Sequence, residues 1–460
     1  MMFQKLVLPE IRELIETRDE TTLHEILDQW LPAEVAALLG ELTDEEDLAA
    51  MRLLRGPQRV RIFEYLDRAT QERLVLSLSN EDVGSLLTDM ADDDRTSLLE
   101  SLSDEDRTRC LELLTAEQRT LAESLLQYPP DSVGRLMTPH FVSVRRHWTI
   151  QHVLDHIRQH GQDSETLNVV YVVDDHHCLI DDLRIRQLLV SDPQRRIEDL
   201  MDSKYIALKT TDEKRSAVEI FRRYDRTALP VVDGDGRLLG IVTIDDVIDI
   251  AEAAATQDMQ KLGGLEALDT SYVATPLLTL VRKRGVWLVV LFLGEMLTAT
   301  AMGYFEAEIA KAVVLALFVP LIISSGGNSG SQAATLIVRA LALGEIQLRD
   351  WFSVLRRELA SGVLLGLVLG VIGFLRIALW SSFSTIYGPH WILVGIAVGI
   401  SLIGIVLWGC LAGAMIPFAL KRAGLDPATS SAPFVATFVD VTGLVIYFSV
   451  ALAVLRGTML

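Results

Sequence analysis

The chain has 460 residues, half of them hydrophobic, with 42 Lys+Arg against 62 Asp+Glu and a formal net charge of −20. That length suits about three domains. The acidic balance argues against nucleic acid or an anionic lipid surface as a partner and favours cations. The charge is uneven: from Ser271 onward there are 12 basic and 8 acidic residues, and before it 30 and 54. Cys110, Cys178 and Cys410 show no metal-type spacing and read as packing residues in a reducing compartment. The N-terminus has no basic stretch followed by an apolar run, so no cleavable signal is expected and the apolar helices must serve as their own insertion signals.

Residues 1–130 are expected to form an acidic, all-helical superhelical array. Thr43 to Glu46, Ser79 to Asp82, Ser103 to Asp106 and Thr115 to Gln118 each have the spacing of a capping box and precede apolar residues at helical period. Acidic first turns suit the helix dipole. Capping accounts for many of these carboxylates but not for Asp92-Asp93-Asp94 in a row, nor for the added charge at Asp89.

Residues 131–249 contain an internal repeat. Leu136–Val142 matches Leu200–Ile206, and Val169–Asp174 matches Ala228–Asp233. Each copy predicts a short strand, a helix, a hairpin and a second helix, with Asp233-Gly234-Asp235-Gly236 as the second hairpin's turn. The repeat resembles a tandem of cystathionine-β-synthase (CBS) modules. In that family a Thr and an Asp three residues later hold a nucleotide ribose, which points to Thr243 and Asp246; the first copy lacks the pattern at Asp181–Gln187. Two readings stay open, one ATP-type site or a repeat without ligand.

Residues 250–270 predict an acidic helix connecting this part to a membrane domain at 271–460. A span needs about 20 apolar residues. Gly285–Tyr304, Ala310–Ala342, Leu359–Trp380, Trp391–Leu420 and Pro433–Leu455 qualify, giving about five spans. The second is expected to be interrupted at Pro320 and at Gly326-Gly327-Asn328-Ser329-Gly330-Ser331-Gln332, a break tolerated where protein or a water-filled cavity surrounds the backbone. The basic clusters at Arg282–Arg284, at Arg339, Arg349, Arg356 and Arg357, and at Lys421–Arg422 fall on one side if the N-terminus is cytoplasmic and the C-terminus outside. The expected location is the cell (inner) membrane.

Asp440 lies near the middle of the last span. A carboxylate there costs roughly 2.5–3.5 kcal/mol on insertion scales and normally faces a bundle interior or aqueous path. Thr437 and Thr442 offer hydroxyls beside it, and Gly443 permits close helix approach. Glu295 is a second candidate, in the first span; Asp426, before Pro427, also fits a plain N-cap. No His or Cys accompanies Asp440, so an oxygen-preferring ion fits. A lone carboxylate suits Mg²⁺, which keeps several waters and needs one or two carboxylates. One Asp per chain also suggests two copies facing each other across a dimer axis.

Taken together, Val319-Pro320-Leu321-Ile322 leading to Gly326–Gln332, and Asp426-Pro427-Ala428 leading to Asp440-Val441-Thr442-Gly443, with an acidic helical domain and a CBS pair before them, resemble the MgtE family of magnesium channels over essentially the whole chain. The resemblance implies a homodimer in a lipid bilayer with one pore, lined by Pro320, Gly326, Gly327, Asn328, Gly330 and Gln332. Asp440 would hold hydrated Mg²⁺ with help from backbone near Ala436, and Asp426 would sit at the cytoplasmic mouth. The helix around Ile250–Leu268 matches the family's plug helix. Asp225, Asp246, Asp249 and Asp258 match positions for regulatory Mg²⁺ between cytosolic domains, with Asp89 and Asp93 as further candidates. Ala254 and Gln257 stand where other members carry acids, which implies a smaller regulatory set. The alternatives are a CBS-regulated secondary carrier of Co²⁺, Mn²⁺ or Ni²⁺, with Glu295 as its coupling group, and a membrane-embedded enzyme. For the enzyme no nucleophile triad, metal cluster or phosphate loop is present in the sequence.

Overall fold

The computed structural model describes residues 2–268, 272 and 275–458. Residues 269–271 and 273–274, at the end of the predicted connecting helix and the start of the predicted membrane domain, lie outside the described residues. The chain divides into two compact units, Met1–Glu252 and Ala253–Leu460.

The first unit begins with short helices in succession: α1 (Met2–Thr17), α2 (Glu20–Leu27), α3 (Pro32–Leu39), α4 (Asp44–Leu53), α5 (Gly56–Glu64), α6 (Arg68–Ser77), α7 (Asn80–Asp89), α8 (Asp92–Ser101), α9 (Asp104–Glu112) and α10 (Ala116–Leu126). The expected caps start α4, α7, α9 and α10. Thr43 Oγ accepts from Glu46 N, and Glu46 returns the bond by accepting from Thr43 N at 2.8 Å. Ser79 and Ser103 likewise accept from the N–H of the Asp three residues on, at 3.2 Å, and their hydroxyls also donate to its carboxylate at 2.6 Å in each case. One continuous core of Leu, Ile, Val and Phe, from Ile11 to Ala122, runs through these helices. Helices this short are marginal alone, so their stability comes from that shared burial.

The repeat folds as predicted. β1 (Ser143–Arg145), α11 (Ile150–His160), β2 (Val169–Val173), β3 (Leu179–Arg184) and α12 (Ile185–Leu189) form the first copy. β4 (Leu208–Lys209), α13 (Lys214–Tyr224), β5 (Ala228–Val232), β6 (Leu238–Thr243) and α14 (Ile244–Leu262) form the second. Each sheet has the same order, a parallel pair followed by an antiparallel hairpin. The β5–β6 turn needs the left-handed backbone that Gly236 supplies at φ 82°.

The second unit contains α15 (Leu277–Tyr304), α16 (Glu306–Lys311), α17 (Val319–Ala342), α18 (Trp351–Ser381), α19 (Trp391–Arg422) and α20 (Ala432–Leu455). Among the described residues, five stretches are long and apolar enough to cross a membrane: Leu277–Tyr304, Val313–Ala342, Leu348–Ser381, Trp391–Arg422 and Ala432–Leu455. The first and third helices begin about two turns before their apolar cores, because hydropathy registers only the part that meets hydrocarbon.

The expected break in the second span is corrected. α17 runs unbroken through Gly326–Gln332, and the irregular part, Val313–Phe318, precedes it as a 3₁₀ segment. Pro320 sits in the first turn of α17, where its missing N–H costs nothing. The glycines serve packing. A Cβ on Gly326 would lie 2.6 Å from Ile405 Cγ2, and one on Gly409 would lie 2.6 Å from the Gly326 carbonyl oxygen. A Cβ on Gly413 would strike the Gly330 carbonyl oxygen. α17 and α19 thus touch backbone to backbone, the close approach that small residues permit between membrane helices.

A Gly413→Ala substitution must push two backbones apart. It is expected to destabilise by about 1–3 kcal/mol, as overpacking does. Gly303→Ala, with nothing within 4 Å of the added carbon, should match or slightly exceed the wild type, since alanine is the better helix former. Melting midpoints in detergent micelles compare the two directly; equal midpoints would remove the close-packing argument.

Candidate metal sites

Asp440 and Ala436 occupy successive turns of α20 and lie over Gly327 of α17. A Cβ on Gly327 would come within 3.1 Å of Asp440 Oδ1 and 3.3 Å of Ala436 Cβ. Glycine at 327 therefore makes room for the carboxylate. Asp440 Oδ1 is buried without a hydrogen-bond partner. A buried carboxylate oxygen left unpaired costs free energy unless something answers it, and a cation is the fitting answer. Glu295, the second sequence candidate, sits within α15. Its Oε1 accepts a 3.3 Å bond from Thr298 Oγ1. The two threonines beside Asp440 do not serve it. Thr442 Oγ1 donates to Phe438 O at 2.9 Å and accepts from Trp408 Nε1 at 2.8 Å, while the Thr437 methyl packs against Gly294.

On α17, Ser324, Asn328 and Gln332 are exposed at intervals of four residues, with Pro320 one turn before them, while Gly326, Gly327 and Gly330 are buried. Asn328 Nδ2 donates to Ser324 Oγ at 3.3 Å. A polar stripe on a helix of this hydropathy belongs against water or a partner rather than lipid. Asp426 caps the 3₁₀ turn Pro427–Thr429 by accepting from Ala428 N at 2.9 Å, and its Oδ2 accepts from Lys261 Nζ at 2.6 Å. A lysine from the end of α14 thus already supplies a cation to Asp426.

In the first unit, the unexplained triplet separates into two roles. Asp92 is buried, pairs with the buried Arg95 and lies 2.7 Å from His140 Nε2. Arg95 in turn donates to the carbonyls of Leu87 and Met90. Asp93 and Asp94 instead join the start of α14. Burial, with Glu165 next, pushes the Asp93 carboxyl up to about 6. Burial and then Asp93 push Asp94 up to about 6. Burial and then Asp93 push Asp246 up to about 8, against the pull of the Thr243 hydroxyl, which donates to it at 2.9 Å. Glu165 is raised by burial and by Asp245 and Asp94, and Asp249 by burial, Glu252 and Asp245. Glu64, raised mainly by burial, borders the group. Asp89 lines an adjoining cavity of about 870 Å³ with Glu64, Asp92, His140 and Glu165.

Of the regulatory positions suggested by sequence, the structure brings Asp93, Asp246 and Asp249 into one acidic group. Asp225 lies apart, in left-handed backbone (φ 47°) at the end of α13, and Asp258 lies in the second unit. Sequence reasoning missed the part of Asp94, Asp245 and Glu165 in this group. The first two were visible as excess charge, whereas Glu165, alone in a loop, carried no signal. Among the described residues no three His, Cys, Asp or Glu converge as a ready-made metal cage.

A separate cavity of about 280 Å³ in the CBS pair is lined by Asn168, Arg184, Arg186, Asp225, Arg226 and Thr227. Arg226 pairs with the buried side of Asp182 at 2.7 Å. The expected ribose pair, Thr243 and Asp246, is instead bonded to itself at the acidic group.

Comparison with known proteins agrees with this organisation. The family described as "MgtE: Divalent cation transporter" matches residues 319–450, the MgtE intracellular N domain matches 30–131, and the CBS domain matches 133–189 and 197–253. The magnesium transporter MgtE of Thermus thermophilus is 37% identical over 99% of this chain and 100% of its own length. That of Enterococcus faecalis is 31% identical over 73% of this chain and 71% of its own. A crystal structure of the cytosolic domain of the Mg²⁺ channel MgtE in complex with ATP covers 53% of this chain and 99% of its own at 32% identity, TM-score 0.51. The full-length identity and the three matching domains in the same order place the chain in the MgtE family of divalent cation transporters.

Proposed function

We propose that this chain is a Mg²⁺-selective channel, a homodimer in the cell (inner) membrane with its N-terminus cytoplasmic and C-terminus outside, which cytosolic Mg²⁺ closes. The observation that carries the reading is the orphaned Asp440 oxygen over Gly327, beside the polar stripe of α17. One chain leaves that stripe and about two thirds of α15 exposed, so a second copy is needed to enclose a path. The relatives' names supply the ion. Mg²⁺ here is cargo, held through its water by Asp440 with Ala436 backbone nearby.

Closure follows from mass action. The acidic group around Asp93, Asp94, Asp246 and Asp249 is strained by its own like charges. A state in which Mg²⁺ bridges them binds more Mg²⁺ and gains population as Mg²⁺ rises. α14, which begins within that group, would carry the change toward the pore domain, and Asp225, Asp258 and Asp89 are further candidate ligands.

The test is Mg²⁺ entry into proteoliposomes with low and high Mg²⁺ on the cytosolic face. Saturable entry that needs no proton or sodium gradient and falls at high Mg²⁺ is expected. Entry that requires either gradient would instead establish a carrier.

ATP is proposed for the cavity at Arg184, Arg186 and Arg226, where guanidinium groups suit phosphates; the acidic surroundings of Thr243 and Asp246 do not. Loss of one charged hydrogen bond is worth about 1.5–3 kcal/mol, so Arg186→Gln is expected to weaken ATP binding by about tenfold or more in calorimetry on the full chain. Thr243→Val should bind ATP as the wild type does. The reverse pattern would return the nucleotide to Thr243 and Asp246.

A further inference from the structure

The first CBS copy carries a histidine series that the transport reading does not use. His152, His156 and His160 recur every four residues on α11, so they share one face. Trp148, just before the helix, folds over this face. Its ring centroid lies 4.5 Å from that of His152 and 5.1 Å from that of His156, both edge-on. The rings of His156 and His160 lie 4.6 Å apart and tilted by 30°.

One hydrogen bond decides the chemistry of His160. Its Nδ1 is 3.2 Å from the His156 carbonyl oxygen. A carbonyl only accepts, so Nδ1 carries the proton and Nε2 of the neutral ring keeps its lone pair. A backbone carbonyl fixing the far N–H is the arrangement found behind metal-ligating histidines. Asp155 does not intrude, since it accepts from Gln151 and Arg158.

We propose that His156 and His160 form a chelating pair for a borderline divalent cation of the Ni²⁺, Zn²⁺, Co²⁺ or Cu²⁺ type, with water completing its coordination. Imidazole nitrogen favours these ions over Mg²⁺, which takes oxygen. The site is therefore chemically separate from Asp440 and from the acidic group around Asp246, and it stands whether or not the transport reading does. His152, packed against Trp148, supports the face without joining the pair. Trp148 sits where it would report occupancy, because Ni²⁺ quenches nearby indole emission.

The experiment is a Ni²⁺ titration of the full chain, free of any affinity tag, in detergent micelles with excess Mg²⁺ filling the oxygen sites. The expected result is a quench of the emission component that Trp148→Phe removes, with one Ni²⁺ per chain retained in dialysis against the same Mg²⁺. His160→Gln, an exposed position, and His156→Gln should each abolish the quench and the retained ion, with unchanged circular dichroism; His152→Gln should keep both. Absence of quench in the wild type, persistence of retained Ni²⁺ in His160→Gln, or reversal by more Mg²⁺ would each overturn the assignment.

Discussion

Asp440→Asn is expected to reduce Mg²⁺ flux by about a hundredfold or more while leaving the fold intact. The amide matches the carboxylate in shape, so the pocket over Gly327 still fills and only the charge is lost. A unit charge at about 4 Å contributes about 4 kcal/mol at an effective dielectric constant of 20, and a divalent ion feels it twice. Even half of the doubled figure, about 4 kcal/mol after the rest is given up to retained water, exceeds the 2.7 kcal/mol or so that a hundredfold change represents. Asp426→Asn provides the contrast. Its Oδ2 is already neutralised by Lys261 at 2.6 Å, so its substitution should shift flux by a few-fold at most. Both variants and the wild type are measured in the same proteoliposome assay. Near-normal flux through Asp440→Asn would take Asp440 out of the ion path, and a collapse in Asp426→Asn alone would move the critical carboxylate to the α19–α20 turn.

Features encoded within one turn of chain were legible before the structure. The cap at Thr43 depends on a residue three positions away, the β5–β6 turn on Gly234 and Gly236, and each span on its own apolar run. Asp440 was also legible, because an ionised group amid 24 residues of α20 is conspicuous whatever packs around it. Interactions between distant segments were not legible. The Gly326–Gly330 run reads locally as a helix breaker. Its purpose, seating the backbone of Gly409 and Gly413, lies some 80 residues on, and continuous contact keeps α17 intact. The Thr243–Asp246 spacing matches a ribose clamp, yet Asp93, about 150 residues earlier, places that aspartate in an acidic group. Glu165 and Asp94 were overlooked for the same reason: their significance is their mutual proximity, which no periodicity records.

That acidic group yields the second large effect, and its sign can be worked out. Asp93 and Asp94 titrate at about 6 and Asp246 at about 8, all raised from an ordinary 3.8. Between the ordinary value and these, the folded chain holds more protons than the unfolded one. Its stability is then fully present below about pH 4 and declines as pH rises through 6 to 8. Each group contributes at most about 1.4 kcal/mol per pH unit within its window. In chelator, the melting midpoint of the full chain is therefore expected to fall as pH is raised from about 5 to 8.5. Mg²⁺ should restore little at pH 5, where protons already screen the group, and most at pH 8.5, because binding must displace those protons. Asp93→Asn with Asp246→Asn removes the repulsion at its source. That double variant should melt above the wild type in chelator at pH 8.5 and gain less from Mg²⁺ than the wild type does. Asp246→Ala with Asp249→Ala should likewise keep the channel open at high cytosolic Mg²⁺. A midpoint that rises with pH in chelator would contradict the raised carboxyls. A flat Mg²⁺ response at pH 8.5 in the wild type would instead leave the repulsion in place and remove Mg²⁺ as its remedy. The two results are separable because the first needs only protons and the second needs the ion.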